Sequence, residues 1–162
     1  MSNSYLLFGG KSAMPTVKDL MTESVITIDL SKTVFDAAVL MGEKELGCLI
    51  VKDDNTPVGI VTERDFVRRV VSKKTPLDAK MSEIMSKPLI TIDPDSSLRD
   101  GARLMIEKQI RRLPVVKENK LVGILVASDF ARHLSKKTVT EEILEAMGRY
   151  PLHYVPTYIL LL

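Results

Sequence analysis

Cysteine occurs once, at position 48, tryptophan not at all, and histidine only at 133 and 153. One thiol excludes an internal disulfide and, with two imidazoles, leaves no recognisable zinc spacing, so a reducing compartment, the cytoplasm, is the expected address. No apolar run approaches the roughly 20 residues that a bilayer-spanning helix requires. The opening "MSNSYLLFGGKSAMP" lacks a charged leader and a long apolar stretch, so no secretory signal is expected. Charge of one sign is also scarce in excess: 23 basic against 21 acidic residues leave +2, which supplies no broad field for nucleic acid or an anionic membrane. Anion recognition, if present, has to be local. Catalytic signatures are missing as well, with no Ser-His-Asp ordering, no G-x-G-x-x-G and no P-loop, so an enzyme is not expected.

What the chain does have is a repeat. "VGIVTERDF" at 58–66 returns as "VGILVASDF" at 122–130, and Val17–Phe66 lies over Met81–Phe130 without a gap, 19 of 50 positions being identical at a constant offset of 64. That is a duplication. The period exceeds the roughly 20–50 residues of solenoid repeats, so two copies are expected to pair about a pseudo-symmetry, neither closing a core easily alone. With 162 residues and 45 % hydrophobic content, the chain suits one compact core or two small ones.

Each copy has the same pattern. "VITI" (25–28) and "LITI" (89–92) have the composition of short buried strands. Thr33 and Ser97 are placed to cap the helices that follow, with Asp36 and Asp100 in capping-box position. Val34, Ala37, Ala38 and Met41, and Leu98, Ala102 and Met105, then fall on one helical face. "CLIV" with "VGIVT", and "LPVV" with "VGILV", predict hairpins across the short polar "KDDNTP" and "KENK". Helical spacing resumes in "ERDFVRRVV" and "SDFARHLSKK", giving β-α-β-β-α twice and an α/β (α+β) fold of two pseudo-symmetric motifs packed as one module. The boundaries are an arm at 1–16, copy one at 17–75, copy two at 76–136, and a helix with an apolar tail at 137–162. Pro76 marks the linker between copies. Met41, Met85 and Met105 are expected to fill core rather than to hold a metal.

Asp65 and Asp129 are the leading candidates for binding. Each follows an apolar strand at the start of a helix, where unpaired N–H groups and the positive dipole end suit a phosphate, while a carboxylate can accept both vicinal hydroxyls of a ribose. Thr62 and Asp65 also have the spacing of an ordinary capping box. In copy two Val126 replaces Thr62 and has no capping side chain, yet Asp129 is kept, which points to a task beyond capping, although Ser128 is placed to cap one residue later. Arg111 and Arg112 stand where copy one has Gly47 and Cys48. Their planar forks suit phosphate, and two adjacent residues entering a strand point to opposite sides; the plainer reading is a solvated basic pair. Ile26 and Ile90, in β runs, are core by default. Lys80 is a further phosphate candidate. The differing neighbours of the two aspartates predict one good cleft and one weaker or empty one.

These residues, in this order and twice over, resemble a tandem pair of CBS (cystathionine β-synthase) domains, a Bateman module, across residues 17–136. The resemblance implies a non-catalytic regulatory module with no metal site of its own. Its ligand would be an adenosine compound held in clefts between the copies: AMP, ADP or ATP first, S-adenosylmethionine or NAD behind them, with or without magnesium. It also implies a homodimer shaped as a flat disc and an effector protein that receives the signal. Asp65 and Asp129 would contact ribose beside Thr62 and Ser128, and Ile26 and Ile90 would pack adenine. Arg112 falls on the arginine of a phosphate-binding His-Arg-Leu-Pro-Val-Val stretch in this family, and Arg111 on its histidine. The alternative is a scaffolding protein that has the fold without the ligand, with the tail "RYPLHYVPTYILLL" as its working surface, packed across a dimer or offered to a partner.

Overall fold

The computed structural model describes residues 15–134. The N-terminal arm before residue 15, the helix expected after 137 and the apolar tail lie outside the described residues. A turn of 3-10 helix (Val17–Asp19) precedes copy one, which consists of β1 (Thr27–Asp29), α1 (Val34–Glu43), β2 (Cys48–Asp53), β3 (Thr56–Thr62) and α2 (Glu63–Asp65), the last continuing as a π-helix over Phe66–Val71. Copy two follows as α3 (Met81–Ile84), α4 (Leu98–Glu107), β4 (Arg112–Lys117), β5 (Lys120–Val126) and α5 (Ala127–Leu134).

The helices start where the caps predict. Thr33 Oγ1 accepts from the Asp36 N–H at 3.1 Å while Asp36 accepts from the Thr33 N–H at 2.9 Å, and Ser97 Oγ accepts from the Asp100 N–H at 3.1 Å. Val34, Ala37 and Met41 are buried, as are Leu98 and Met105. Ala38 is exposed, because at i+4 from Val34 it falls at the edge of that stripe. Both helices end on a non-glycine residue with positive φ, Glu45 at 52° and Gln109 at 54°. The next N–H reaches back to close the last turn, Leu46 to the Met41 carbonyl at 2.8 Å and Ile110 to the Met105 carbonyl at 2.9 Å. Because a side chain at such a position is strained, Gln109→Gly is expected to stabilise the fold by about 1 kcal/mol, read as an upward shift of the melting temperature.

In copy one, β1 runs parallel to β2, which pairs antiparallel with β3; in copy two β4 and β5 form the matching hairpin. The strand expected at "LITI" shrinks to one parallel bridge between Ile92 and Val115. Two prolines account for this. Pro114 occupies the place of Ile50 and Pro94 that of Leu30, whose N–H donates to the Lys52 carbonyl at 2.8 Å, so in copy two both flanking donors are gone. Two bonds remain, from the Ile92 N–H to the Pro114 carbonyl (3.1 Å) and from the Val116 N–H to the Ile92 carbonyl (2.9 Å).

The copies complete each other's cores. Val17, ahead of copy one, is fully buried among Leu98, Met105, Leu113, Val115 and Leu125 of copy two, while Met81, Ile84 and Met85, ahead of copy two, are buried among Val34, Ala37, Leu49 and Val61 of copy one. The bonds that fix this exchange recur with the copies swapped. Val17 donates to the Ser96 carbonyl (2.9 Å) as Met81 does to that of Lys32 (2.9 Å), and Ile124 donates to Thr22 (2.9 Å) as Ile60 does to Ser86 (3.2 Å). The glycines of the repeated "VGI" make room for it: a Cβ at Gly59 would stand 2.5 Å from Met85 Sδ, and one at Gly123 2.6 Å from Met21 Sδ. Gly123→Val is therefore expected to cost about 1–3 kcal/mol in chemical denaturation, since the Thr22 carbonyl behind Met21 is backbone and cannot step aside.

Candidate functional site

The strands β3 and β5 pack against each other and end at the two strand-to-helix junctions, so the pseudo-symmetry sets both junctions at one boundary between the copies. At the first, Asp65 Oδ2 accepts from the Thr62 N–H (2.9 Å) and hydroxyl (2.7 Å), and Asp65 Oδ1 lies 3.4 Å from Arg69 Nε. Arg69 is anchored in turn by donating to the Ile84 carbonyl at 2.7 Å. The first junction is thus a complete capping box with an ion pair behind it.

At the second, Asp129 Oδ2 accepts from the Val126 N–H at 2.8 Å. This corrects an argument made from sequence. A carboxylate at the third helical position bonds the backbone N–H of the residue before the helix whatever side chain stands there, so keeping Asp129 beside Val126 is no separate sign of a ligand. Asp129 differs from Asp65 in another way: at 6 % exposure it is the one buried charged residue among those described. Ser128 is exposed.

Arg111 is exposed and Arg112 half-buried, as alternation along a strand requires. Arg112 pairs with Val126 in the β4–β5 register, yet its guanidinium lies over copy one: a Cβ on Gly47 would stand 2.4 Å from Arg112 Nη2 and 3.3 Å from Glu63 Oε2. Gly47 belongs to the first junction, its carbonyl accepting from the Glu63 N–H at 3.3 Å, while Cys48 pairs with Thr62. One cation therefore sits between the two junctions. Sequence reasoning missed Gly47 and Glu63; the signal was a glycine standing at the position that matches Arg111. Burial pushes the Cys48 thiol above its ordinary range, Arg112 pulls the other way and Glu63 adds to the rise, so Cys48 remains a protonated thiol at neutral pH.

Ile26 departs from the core default. It is 36 % exposed, just ahead of β1, whereas Ile90 packs partly buried against the core of copy two. Lys80 is exposed ahead of α3, where its backbone N–H donates to Glu83 at 2.9 Å. An open cleft of about 450 Å³ lies towards the hairpin ends, lined by Glu23, Val25, Thr27, Lys52, Asn55, Lys120 and Leu121, and contains none of Asp65, Asp129, Arg111 or Arg112. Among the described residues no group of His, Cys, Asp and Glu is placed to hold a metal ion, and no helix is long and apolar enough to cross a membrane.

The CBS domain family matches residues 17–72 and 81–136, the two copies in turn. The chain belongs to the CBS domain family. Among curated relatives, the CBS domain-containing protein YhcV of Bacillus subtilis is 38 % identical over 118 residues, covering 73 % of this chain and 84 % of that protein. A crystal structure of the CBS domain protein NE2398 superposes with a TM-score of 0.70 at 32 % identity, over 76 % of this chain and 99 % of the other. The CBS domain pair of protein MJ0100, solved in complex with 5′-methylthioadenosine and S-adenosyl-L-methionine, superposes with a TM-score of 0.70 at 26 % identity, over 78 % of this chain and all of the other. In this CBS pair the boundary between the copies brings together the Arg112 guanidinium, the Glu63 carboxylate and two helix starts, each capped by its own aspartate.

Proposed function

We propose that this CBS pair is a non-catalytic cytoplasmic sensor that binds an adenosine ligand between its copies and passes the change to an effector protein. The observation that carries this reading is Arg112, which pairs with Val126 at the second junction but reaches Gly47 and Glu63 at the first. A ligand phosphate at this guanidinium touches both copies at once, so its binding energy can favour one relative arrangement, to the extent that it binds that arrangement better. Asp65 and Asp129 would take ribose hydroxyls, Thr62 and Ser128 would stand beside them, Arg111 would reach phosphate from the solvent side, and Ile26 and Ile90 would pack adenine. The ligands of MJ0100 lend the adenosine part of this reading their support. Arg112 selects within that class, because a guanidinium attracts a phosphate and repels a sulfonium; AMP, ADP and ATP are preferred to S-adenosylmethionine. NAD, through its phosphates, ranks between them. The two clefts would be unequal, since copy one has no arginine at positions 47 and 48. A homodimer belongs to the same reading.

The test is a thermal-shift panel of these ligands at millimolar concentration, with and without magnesium. A ligand at 100 times its dissociation constant adds about 2.7 kcal/mol, worth roughly 5–10 °C for a chain of this size. The expected result is a shift with adenine nucleotides that exceeds the shift with S-adenosylmethionine. No shift with any of them would favour the scaffolding alternative.

A further inference from the structure

Arg69 joins two parts of the chain that the repeat keeps separate. Its Nε lies 3.4 Å from Asp65 Oδ1 at the first junction, and its Nη1 donates to the Ile84 carbonyl at 2.7 Å, at the end of α3. Ile84 is buried in the core of copy one, and just beyond it Ser86 exchanges backbone bonds with Ile60 of β3 before the chain leaves for copy two. One guanidinium thus ties the junction carboxylate to the leading segment of copy two, through donors on two different nitrogens. The turns around it are wide. The N–H groups of Ser72 and Thr75 donate to the Val67 and Val70 carbonyls (3.0 Å each), and their hydroxyls donate to the carbonyls of Arg68 (2.7 Å) and Arg69 (2.6 Å). Such π turns are frequent at functional sites. Copy two does not repeat the arrangement: α5 is a regular α-helix, and the position matching Arg69 is His133.

We propose that Arg69 is the positioning residue through which occupancy of the first junction reaches the leading segment of copy two. Asp65 Oδ2 is engaged by both Thr62 donors, so a ribose hydroxyl arriving at this carboxylate meets Oδ1, the oxygen that faces Arg69. Hydroxyl and guanidinium then compete for one oxygen. Arg69 loses the contact that orients it, its bond to the Ile84 carbonyl is held less firmly, and the segment from Met81 to Ser86 loosens where it enters copy one. This inference rests on the ribose contact proposed for Asp65 and names the element that receives the signal: the stretch of chain that interlocks the two cores. The coupling belongs to the first junction, since the residue that makes it is not repeated at the second.

The test is native-state hydrogen exchange of the full chain at the Met85 and Ser86 amides, which donate to the carbonyls of Met81 (2.9 Å) and Ile60 (2.8 Å), read against the strand amides of β2. Without any ligand, Asp65→Asn is expected to speed exchange at both amides about 10-fold. In an Arg69→Lys background, where these amides already exchange fast, it is expected to add nothing, because lysine keeps the charge but cannot hold both partners. AMP is expected to speed the same amides in the parent and to leave them unchanged in Arg69→Lys. An Asp65→Asn effect that is absent, or equal in both backgrounds, overturns the proposal, as does AMP that binds the parent without changing these amides. A parent that binds no nucleotide contradicts the proposed function instead, and the ligand-free comparison still decides the link.

Discussion

Met81→Ala is expected to destabilise the module by about 2–5 kcal/mol, the usual cost of emptying a buried methionine site, which lowers the melting temperature by roughly 4–20 °C. Met81 stands ahead of copy two in the chain but is fully buried in the core of copy one. Its loss therefore strikes the copy to which it does not belong in sequence. Because Val17 makes the reciprocal insertion into copy two, both cores open together, and calorimetry of the variant is expected to show a single transition at the lower temperature. Two separate transitions, copy one melting first, would contradict the interlocked account of the fold.

Arg112→Ala is expected to weaken adenine-nucleotide binding about 10- to 100-fold, measured by calorimetric titration, since a hydrogen bond to a charged group contributes roughly 1.5–3 kcal/mol. Adenosine, which lacks the phosphate, should lose little. Gly47→Ala provides a second route to the same end: its new Cβ would collide with the Arg112 guanidinium, the far end of a flexible side chain, so Arg112 swings away at small cost to the fold. The glycine variant is therefore expected to reproduce the loss of affinity at near-normal stability. Equal affinity of the parent and both variants for AMP would remove Arg112 from the site.

What the sequence made legible was local. Helix caps at Thr33 and Ser97 and the two hairpins need only residues a few positions apart, and they lie where their spacing puts them. The duplication announced the pseudo-symmetry. It did not say which core each leading segment would enter, because "VKDLM" and "MSEIM" are amphipathic enough to complete either copy; the exchange is recorded in the burial of Val17 and Met81, the backbone bonds of Thr22 and Ser86, and the close approach of Met21 to Gly123 and Met85 to Gly59. The shortened strand of copy two was written in Pro94 and Pro114, but alternation of apolar residues in "LITI" masked it. At the site, the alternation of Arg111 and Arg112 was readable, whereas the reach of Arg112 onto Gly47 was not, since nothing in a sequence gives the distance between two copies. The role drawn for Asp129 from Val126 came from treating the capping box as one unit; its two halves are independent bonds.

The most direct test of the central claim is a crystal structure of this chain grown with AMP or ATP. The account predicts the nucleotide at the boundary between the copies, its phosphate within hydrogen-bond distance of Arg112 and its ribose at Asp129 or Asp65. A nucleotide held away from all three, in the cleft of Lys52 and Lys120 for instance, would contradict it.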